Sequence, residues 1–283
     1  MSTAPQVPTV TLNSGTEMPQ LGFGVWQVPD DQAETAVAEA LQAGYRSIDT
    51  AQIYGNEEGV GRALRASGVP REELFITTKL WNSASQTWTR DAVLREFDAS
   101  LTRLGLDYVD LYLIHWPRPM RDDYLRILEA FKEIGSSGRA RAVGVSNFKP
   151  AHLRRAIEET GLVPAVNQIE LHPYLQQRET RALHAEHGIV TEDWSPLGQG
   201  KGLLDDPELR RIADKHGKTP AQVVLRWHLN IGSVVIPKSV TPSRIRENID
   251  VFGFDLDESD MDAIAALDRG TRFGADPDTF DWS

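Results

Sequence analysis

An aspartate, a tyrosine, a lysine and a histidine stand where short apolar runs give out. Asp49 and Tyr54 lie in "SIDTAQIYGNE" (47 to 57), Lys79 ends "LFITTK" (74 to 79) and His115 ends "VDLYLIH" (109 to 115). Each has an ordinary reading when taken singly: Asp49 caps a turn, Tyr54 half-buries a ring, His115 is satisfied in a core. Lys79 fits that scheme less well, because a lysine is seldom set where burial is expected unless it is paired. As a group the four have one chemical use. A phenol with a reference pKa of about 10 donates protons poorly near neutrality. A lysine cation beside it stabilises the phenolate and lowers that value, and an aspartate keeps the lysine charged and in place. Bringing a tyrosine toward pH 7 takes on the order of 3 to 4 kcal/mol of differential interaction. A histidine aimed at the same substrate oxygen orients it and steadies the charge that develops there. Such a set, with Tyr54 as general acid, suits the reduction of a carbonyl group.

These residues converge only if the elements around them repeat regularly. Eight β-rich runs recur without the polar alternation of a half-wet sheet: "LGFGV" (21 to 25), "SID" (47 to 49), "LFITTK" (74 to 79), "VDLYLIH" (109 to 115), "RAVGVS" (141 to 146), "AVNQIE" (165 to 170), "IVTEDW" (189 to 194) and "SVVIP" (233 to 237). Amphipathic stretches separate them, with Leu94, Phe97, Leu101 and Leu104 at helical spacing, and likewise Tyr124, Leu128 and Phe131. Eight βα units fit an α/β fold of the (β/α)8 TIM-barrel type better than a doubly wound sheet of five or six strands. Upstream, "VTLNSGTEM" has two short runs around an Asn-Ser-Gly turn. It reads as an N-terminal β-hairpin that closes one end of the barrel. In such a barrel, catalytic groups sit at the C-terminal ends of the strands, and neighbouring strands lie about 4.8 Å apart. The side chains of Asp49, Lys79 and His115 are therefore expected on one patch at the barrel mouth, with Tyr54 in the loop beside them.

Composition narrows the rest. The 283 residues contain no linker or low-complexity break, so one domain over 1–283 is expected. A hydrophobic share of 40% and a charged share of 25% belong to an ordinary globular protein with a sizeable core. The formal net charge of -11 disfavours nucleic acid and anionic membranes as partners. The absence of cysteine excludes disulfides, thiol catalysis and thiolate metal sites. No run approaches the roughly 18 apolar residues of a membrane span, and "MSTAPQVPTV" has no signal-peptide pattern, which makes the cytoplasm the expected location.

The segments "DTAQIYGNE", "TTKLW", "LIHWP", "GVSNF", "NQIELHP", "WSPLG" and "IPKSVTPSRIRENID" occur in this order. With them the sequence resembles the aldo-keto reductase superfamily over nearly its whole length. "AVNQIELHP", "GQGKG" and "HGKTPAQVVLRWHL" are most similar to the bacterial 2,5-diketo-gluconate reductase branch. The resemblance implies Tyr54 as proton donor, a tetrad completed by Asp49, Lys79 and His115, and hydride transfer from a nicotinamide cofactor to a small aldehyde, ketone or dicarbonyl such as methylglyoxal or a diketo-sugar acid. A monomer is expected.

No G-x-G-x-x-G follows any strand, so the cofactor needs a site other than a Rossmann fingerprint. Lys238, Ser239 and Arg244 follow the eighth run and open a helix, a good setting for a phosphate. By resemblance they hold a 2′-phosphate and Glu247 and Asn248 contact the adenine, which favours NADPH over NADH. Ser146, Asn147 and Gln168 fall where the family binds the nicotinamide amide, and Trp194 where many members stack a Tyr on the nicotinamide ring. Ser195 joins the cofactor set, and Leu197 falls where the family packs a loop across the pyrophosphate. Trp26, Trp81 and Trp116 are implied to line the substrate mouth. The tail, about 269–283, carries Phe273, Phe280 and Trp282 and is expected to fold over the site as a substrate loop.

Other readings compete. Glu170, Glu192 and Asp193 lie near strand ends, and paired carboxylates can hydrolyse glycosides; that would leave the Lys-Tyr-His set without a purpose. A cofactor-binding redox sensor with little turnover would not need an intact tetrad. No metal is expected: His184 and His187 are three apart on a helix with no H-E-x-x-H around them, and read as a solvated helix face.

Overall fold

The computed structural model of the protein describes residues 7–83 and 86–281. Two short strands come first. β1 (Thr9–Thr11) and β2 (Glu17–Pro19) are antiparallel, with Val10 opposite Met18, and form the expected hairpin. Leu12 and Met18 are buried against Phe75, Leu111, Leu113, Ala142 and Val166. Asn13 Nδ2 donates to the carbonyls of Val163 and Pro164, at 3.3 and 3.2 Å, and pins the turn. The hairpin thus plugs the end of the barrel away from the strand termini that carry the chemistry.

The eight anticipated runs become parallel strands in sequential order. They are β3 (Phe23–Gly24), β4 (Ser47–Asp49), β5 (Phe75–Leu80), β6 (Val109–Ile114), β7 (Ala140–Ser146), β8 (Val166–Glu170), β9 (Val190–Trp194) and β10 (Val234–Val235). The first meets the last. Val235 N donates to Gln20 O at 2.9 Å, Gly22 N to Val235 O at 2.9 Å and Gly24 N to Pro237 O at 3.1 Å. β3 and β10 are shorter than the five-residue runs suggest. Pro237 has no N–H to extend the ladder, and the closure is tight: a Cβ on Gly24 would lie 3.2 Å from Ile236 O, and one on Gly22 would lie 2.8 Å from Ser47 Oγ.

The (β/α)8 barrel is completed by helices that follow each strand: α1 (Asp30–Ala43), α2 (Glu57–Ala66), α3 (Arg90–Leu104), α4 (Tyr124–Ser136), α5 (Pro150–Thr160) and α6 (Arg178–His187), then α8 (Pro220–Asn230) and α9 (Pro242–Ile249). α7 (Pro207–His216) and α10 (Glu258–Ala265) are additions to the repeat. Phe97, Leu101 and Leu104 of α3 and Tyr124, Leu128 and Phe131 of α4 are buried against the sheet, as their spacing requires. No helix among the described residues is long and apolar enough to cross a membrane.

α6 corrects one expectation. His184 is 1% exposed, and not on a solvated face. Thr180, Leu183 and His184 form the inward row of the helix. The imidazole meets Thr191 Oγ1 through Nδ1 at 2.8 Å and Asn167 Nδ2 through Nε2 at 2.9 Å. A satisfied histidine occupies a core position there, which a hydrophobicity pattern alone does not distinguish from a surface one.

Register explains how the site is assembled. Asp49 pairs with Thr77, two residues before Lys79, and Lys79 pairs with Leu113, two before His115. Side chains two apart share a face, so Asp49, Lys79 and His115 all point inward while climbing two residues per strand. On the other half of the wall, Ser146 pairs with Gln168 and Gln168 with Glu192, one inward row.

Candidate active site

Lys79 is wholly buried beneath the barrel mouth. Its ammonium donates to Asp49 Oδ1 at 2.6 Å, to Thr50 O at 2.9 Å and to Tyr54 Oη at 3.4 Å. Tyr54 is carried by a single 3-10 turn, Gln52–Tyr54, which ends in Gly55 at φ 66°. Gly55 stops the turn where a side chain would be strained, leaving the ring half-buried and its hydroxyl above Lys79. His115 meets the Tyr54 ring edge-on at 5.6 Å between centroids, and Trp81 at 5.4 Å. Its Nδ1 has no partner among the described residues. The four predicted residues form one cluster.

Burial sets their protonation. It strips solvation from the Tyr54 phenolate and, with a contribution from the charge of Asp49, outweighs the downward pull of Lys79, so the hydroxyl is held above its ordinary pKa. This corrects the expectation of a net lowering toward neutrality: the lysine acts in the expected direction, but desolvation is larger. Lys79 shows the reverse balance. Burial pulls its pKa down, yet Asp49 and Tyr54 more than compensate and it lies above the usual lysine value. Burial, reinforced by the Lys79 charge, holds His115 well below the usual histidine value. At neutral pH the site therefore presents a protonated phenol, an ammonium and an uncharged imidazole.

Above this cluster opens a cavity of about 1370 Å³ lined by Asp49, Tyr54 and His115 and by every other predicted site residue except Lys79, which lies beneath its floor. At the reacting end stand Trp26, Trp81 and Trp116. Ser146, Asn147, Gln168 and Trp194 form the middle. Asn147, at φ 66°, takes the left-handed conformation that Asn tolerates. It donates to His115 O at 3.0 Å and accepts from Trp194 Nε1 at 2.8 Å, which fixes the indole plane. Gln168 spends both N–H groups inward, on Asp49 Oδ2 and Glu192 Oε2, each at 2.8 Å. Its carbonyl oxygen is the end left to face a ligand. Ser195 and Leu197 follow β9, with Ser195 at φ 51°. The far end holds Lys238, Ser239, Arg244, Glu247 and Asn248 around the first turns of α9. Thr241 caps that helix without a side-chain bond, leaving its first amides open. Neither Lys238 nor Arg244 forms an ion pair among the described residues. The groove thus runs from an acid at one end to an uncompensated cationic helix start at the other, which fits a long phosphorylated dinucleotide.

Residues 15–269 match the Aldo/keto reductase family model. The chain belongs to the aldo/keto reductase family. An "Aldo-keto reductase" of Mycolicibacterium smegmatis is 58% identical over 98% of this chain and 99% of that protein. Methylglyoxal reductase DkgA of Escherichia coli K12 is 55% identical over 96% of this chain and 98% of its own length, consistent with membership of the diketo-gluconate and methylglyoxal reductase branch. Among solved structures, a Gox0644 mutant in complex with NADPH superposes with a TM-score of 0.92 at 48% identity, covering 98% of this chain and 100% of that one.

In this aldo-keto reductase the tail packs onto aromatic residues that line the cavity. Phe280 stacks on Trp116 with centroids 3.9 Å apart and meets Trp81 edge-on at 6.1 Å; Trp282 lies outside the described residues. Charged contacts hold the tail down: Asp281 to Arg118 and, at 2.9 Å, to Arg121, and Asp276 and Asp278 each 2.6 Å from Lys149. Glu170 holds its other end, accepting from Phe273 N at 2.5 Å and Gly274 N at 2.9 Å. The hydrolytic reading of Glu170, Glu192 and Asp193 finds no support here, since Glu192 is wholly buried and bonded to Gln168 outside the cavity lining. Glu170 is occupied by the tail, and Asp193 pairs with His228 of α8 at 2.6 Å on the outer face of the sheet.

Sequence reasoning missed several lining residues of this aldo-keto reductase. Gln27, at φ 57°, and Ile53 border the substrate end, and Gly200, Gly202 and Thr219 border the cofactor end. Gly274 is also among them, pressed so closely on Trp194 that a Cβ there would lie 2.4 Å from the indole. The glycines of "GQGKG" were the available signal, since their positive φ values, 71° and 83° at Gly200 and Gly202, shape the loop that crosses the groove. Lys201 Nζ ties that loop to Phe273 O at 2.7 Å.

Proposed function

We propose that this protein is an NADPH-dependent reductase of small aldehydes, ketones and dicarbonyls, methylglyoxal and diketo-sugar acids among the candidates, acting as a cytoplasmic monomer. The observation that carries the reading is the Lys79 ammonium within 2.6 Å of Asp49 and 3.4 Å of the Tyr54 hydroxyl, at the floor of a groove that ends in unpaired cations. The chemistry a nicotinamide cofactor supplies when bound is a hydride. The protein supplies the proton and the positioning. Tyr54 gives its proton to the carbonyl oxygen as that oxygen gains charge, and Lys79 stabilises the phenolate left behind. His115, uncharged, donates an N–H to the same oxygen and fixes its direction. Asp49 holds the ammonium in place.

Ser146, Asn147 and the outward oxygen of Gln168 suit a carboxamide, and the indole of Trp194 suits the face of a nicotinamide ring. Lys238, Ser239 and Arg244 suit a 2′-phosphate, Glu247 and Asn248 the adenine, with Ser195 and Leu197 along the pyrophosphate. Trp26, Trp81 and Trp116, with Phe280, exclude water around a small substrate. NADPH oxidation followed by absorbance with a panel of aldehydes and dicarbonyls, and NADH in parallel, tests the proposal. Carbonyl-dependent consumption that prefers NADPH is expected. Tight NADPH binding without consumption on any carbonyl would refute it.

A further inference from the structure

The reaction just described makes no use of Glu192. This residue lies in β9, points into the barrel and is fully buried. Its Oε2 accepts from Gln168 Nε2, the same nitrogen that donates to Asp49 Oδ2. Its Oε1 has no partner among the described residues. One side-chain amide therefore joins two carboxyl groups, and one of these is already paired with Lys79.

The groups around Glu192 define its charge. Asp49 faces it from β4, Lys79 from β5 and Gln168 from β8. β10 contributes the apolar Val234 opposite it. Asp193, next in β9, points to the other face and is matched there by His228. Lys79 is the only lysine or arginine among these groups, and its short contact is with Asp49. A second carboxylate would have to share that ammonium while leaving one oxygen bare in a water-excluded interior, a costly state for an anion. A protonated acid avoids most of that cost. Burial, followed by the charge of Asp49, accordingly pushes the Glu192 carboxyl up to about 8.

We propose that Glu192 is a positioning residue of the reductase, which keeps its proton while the site reduces carbonyls and, on losing it, adds a second negative charge beneath Lys79 that makes Tyr54 a weaker acid. With the proton on, the Lys79–Asp49–Glu192 group is neutral. With it off, the group carries one net negative charge, which opposes formation of the Tyr54 phenolate. Gln168 transmits the same change mechanically, since its amide is shared between the two carboxyl groups. The alkaline loss of reductase activity then belongs to Glu192 and not to Tyr54. This inference rests on the reductase reading above, and its test separates the two.

The protein is labelled with 13C at the glutamate side-chain carboxyl, and the carboxyl resonances are followed by NMR from pH 4 to 10 in the wild type and in Glu192→Gln. The kcat for methylglyoxal reduction with NADPH is measured over the same range. The wild type is expected to show one resonance, missing from the variant, that titrates about four pH units above an ordinary glutamate. Its kcat should fall about tenfold per pH unit above that midpoint, whereas in Glu192→Gln, which keeps an acceptor for Gln168, the fall starts at least about one unit higher. Should Glu192→Gln not fold, Glu192→Met removes the same carboxyl and is read in its place. A resonance titrating with the ordinary glutamates, or a variant pH profile that superposes on the wild type, overturns the proposal. Failure of the wild type to reduce any carbonyl would overturn the reductase reading, and the NMR titration would still decide the state of Glu192.

Discussion

Replacing Lys79 with Met removes the ammonium and keeps an unbranched stem of similar length. Three contacts vanish: to Asp49 at 2.6 Å, to Thr50 O at 2.9 Å and to Tyr54 at 3.4 Å. Asp49, 3% exposed, is left as a buried carboxylate whose remaining side-chain partner among the described residues is Gln168. Breaking one side of a buried pair costs about 3 to 5 kcal/mol. For a chain of this size that lowers Tm by on the order of 10 °C. The chemical loss is separate. Without the cation, burial and Asp49 both act against the phenolate, and the loss of general-acid assistance predicts a fall in kcat of about 10²- to 10⁴-fold. Adding Asp49→Asn separates the two effects, because it removes the orphaned charge without restoring an acid. Thermal unfolding of the double variant should recover a large part of the lost Tm while kcat stays at the level of the single variant. A double variant that regains turnover together with stability would mean that Lys79 is only structural. A single variant that unfolds with the wild type would mean that the pair is not under strain from burial at all.

Three further outcomes are expected. Tyr54→Phe should lower kcat by about 10²- to 10⁴-fold while the Kd for NADPH, read by quenching of tryptophan fluorescence, moves by less than about twofold; turnover that survives would remove the proton-donor role. Arg244→Ala removes a charge-assisted contact of about 1.5 to 3 kcal/mol, so the KM for NADPH should rise by about tenfold or more and that for NADH should not, and equal effects on both would remove the 2′-phosphate assignment. Gly274→Ala introduces a Cβ 2.4 Å from the Trp194 ring and 3.0 Å from Glu170 Oε2, so it should weaken NADPH binding and raise the KM for carbonyls together; binding constants unchanged from the wild type would show that the tail does not set the indole plane.

The parts of this site that the sequence reveals are those fixed by local periodicity. Asp49, Lys79 and His115 end apolar runs, and a parallel ladder with period-two side chains then brings them together without further information. The hairpin plug was visible in its turn residues. The tail clamp was not, because Glu170 acts on Phe273 and Gly274, a separation of 103 and 104 residues, and nothing in "NQIELHP" distinguishes a strap anchor from a catalytic acid. His184 was misplaced because polarity predicts exposure, while its two ring nitrogens find partners inside. The direction of the Tyr54 shift failed for a related reason: neighbouring charges can be guessed from a motif, but the desolvation that outweighs them is a property of the closed barrel.

The wall of this barrel divides its labour between two arcs. β4 to β6 supply Asp49, Tyr54, Lys79 and His115, while β7 to β10 supply the residues assigned to the cofactor. Beyond the β6–β7 ladder, the site residues of the two arcs meet at two polar seams, Asn147 to His115 O and Gln168 to Asp49. Evolution or design can therefore retune which dinucleotide is held, by exchanging residues around α9, without disturbing the arc that delivers the proton. Whichever changes accumulate elsewhere, the side chains at those two seams are the ones that tie both arcs to a single reaction coordinate.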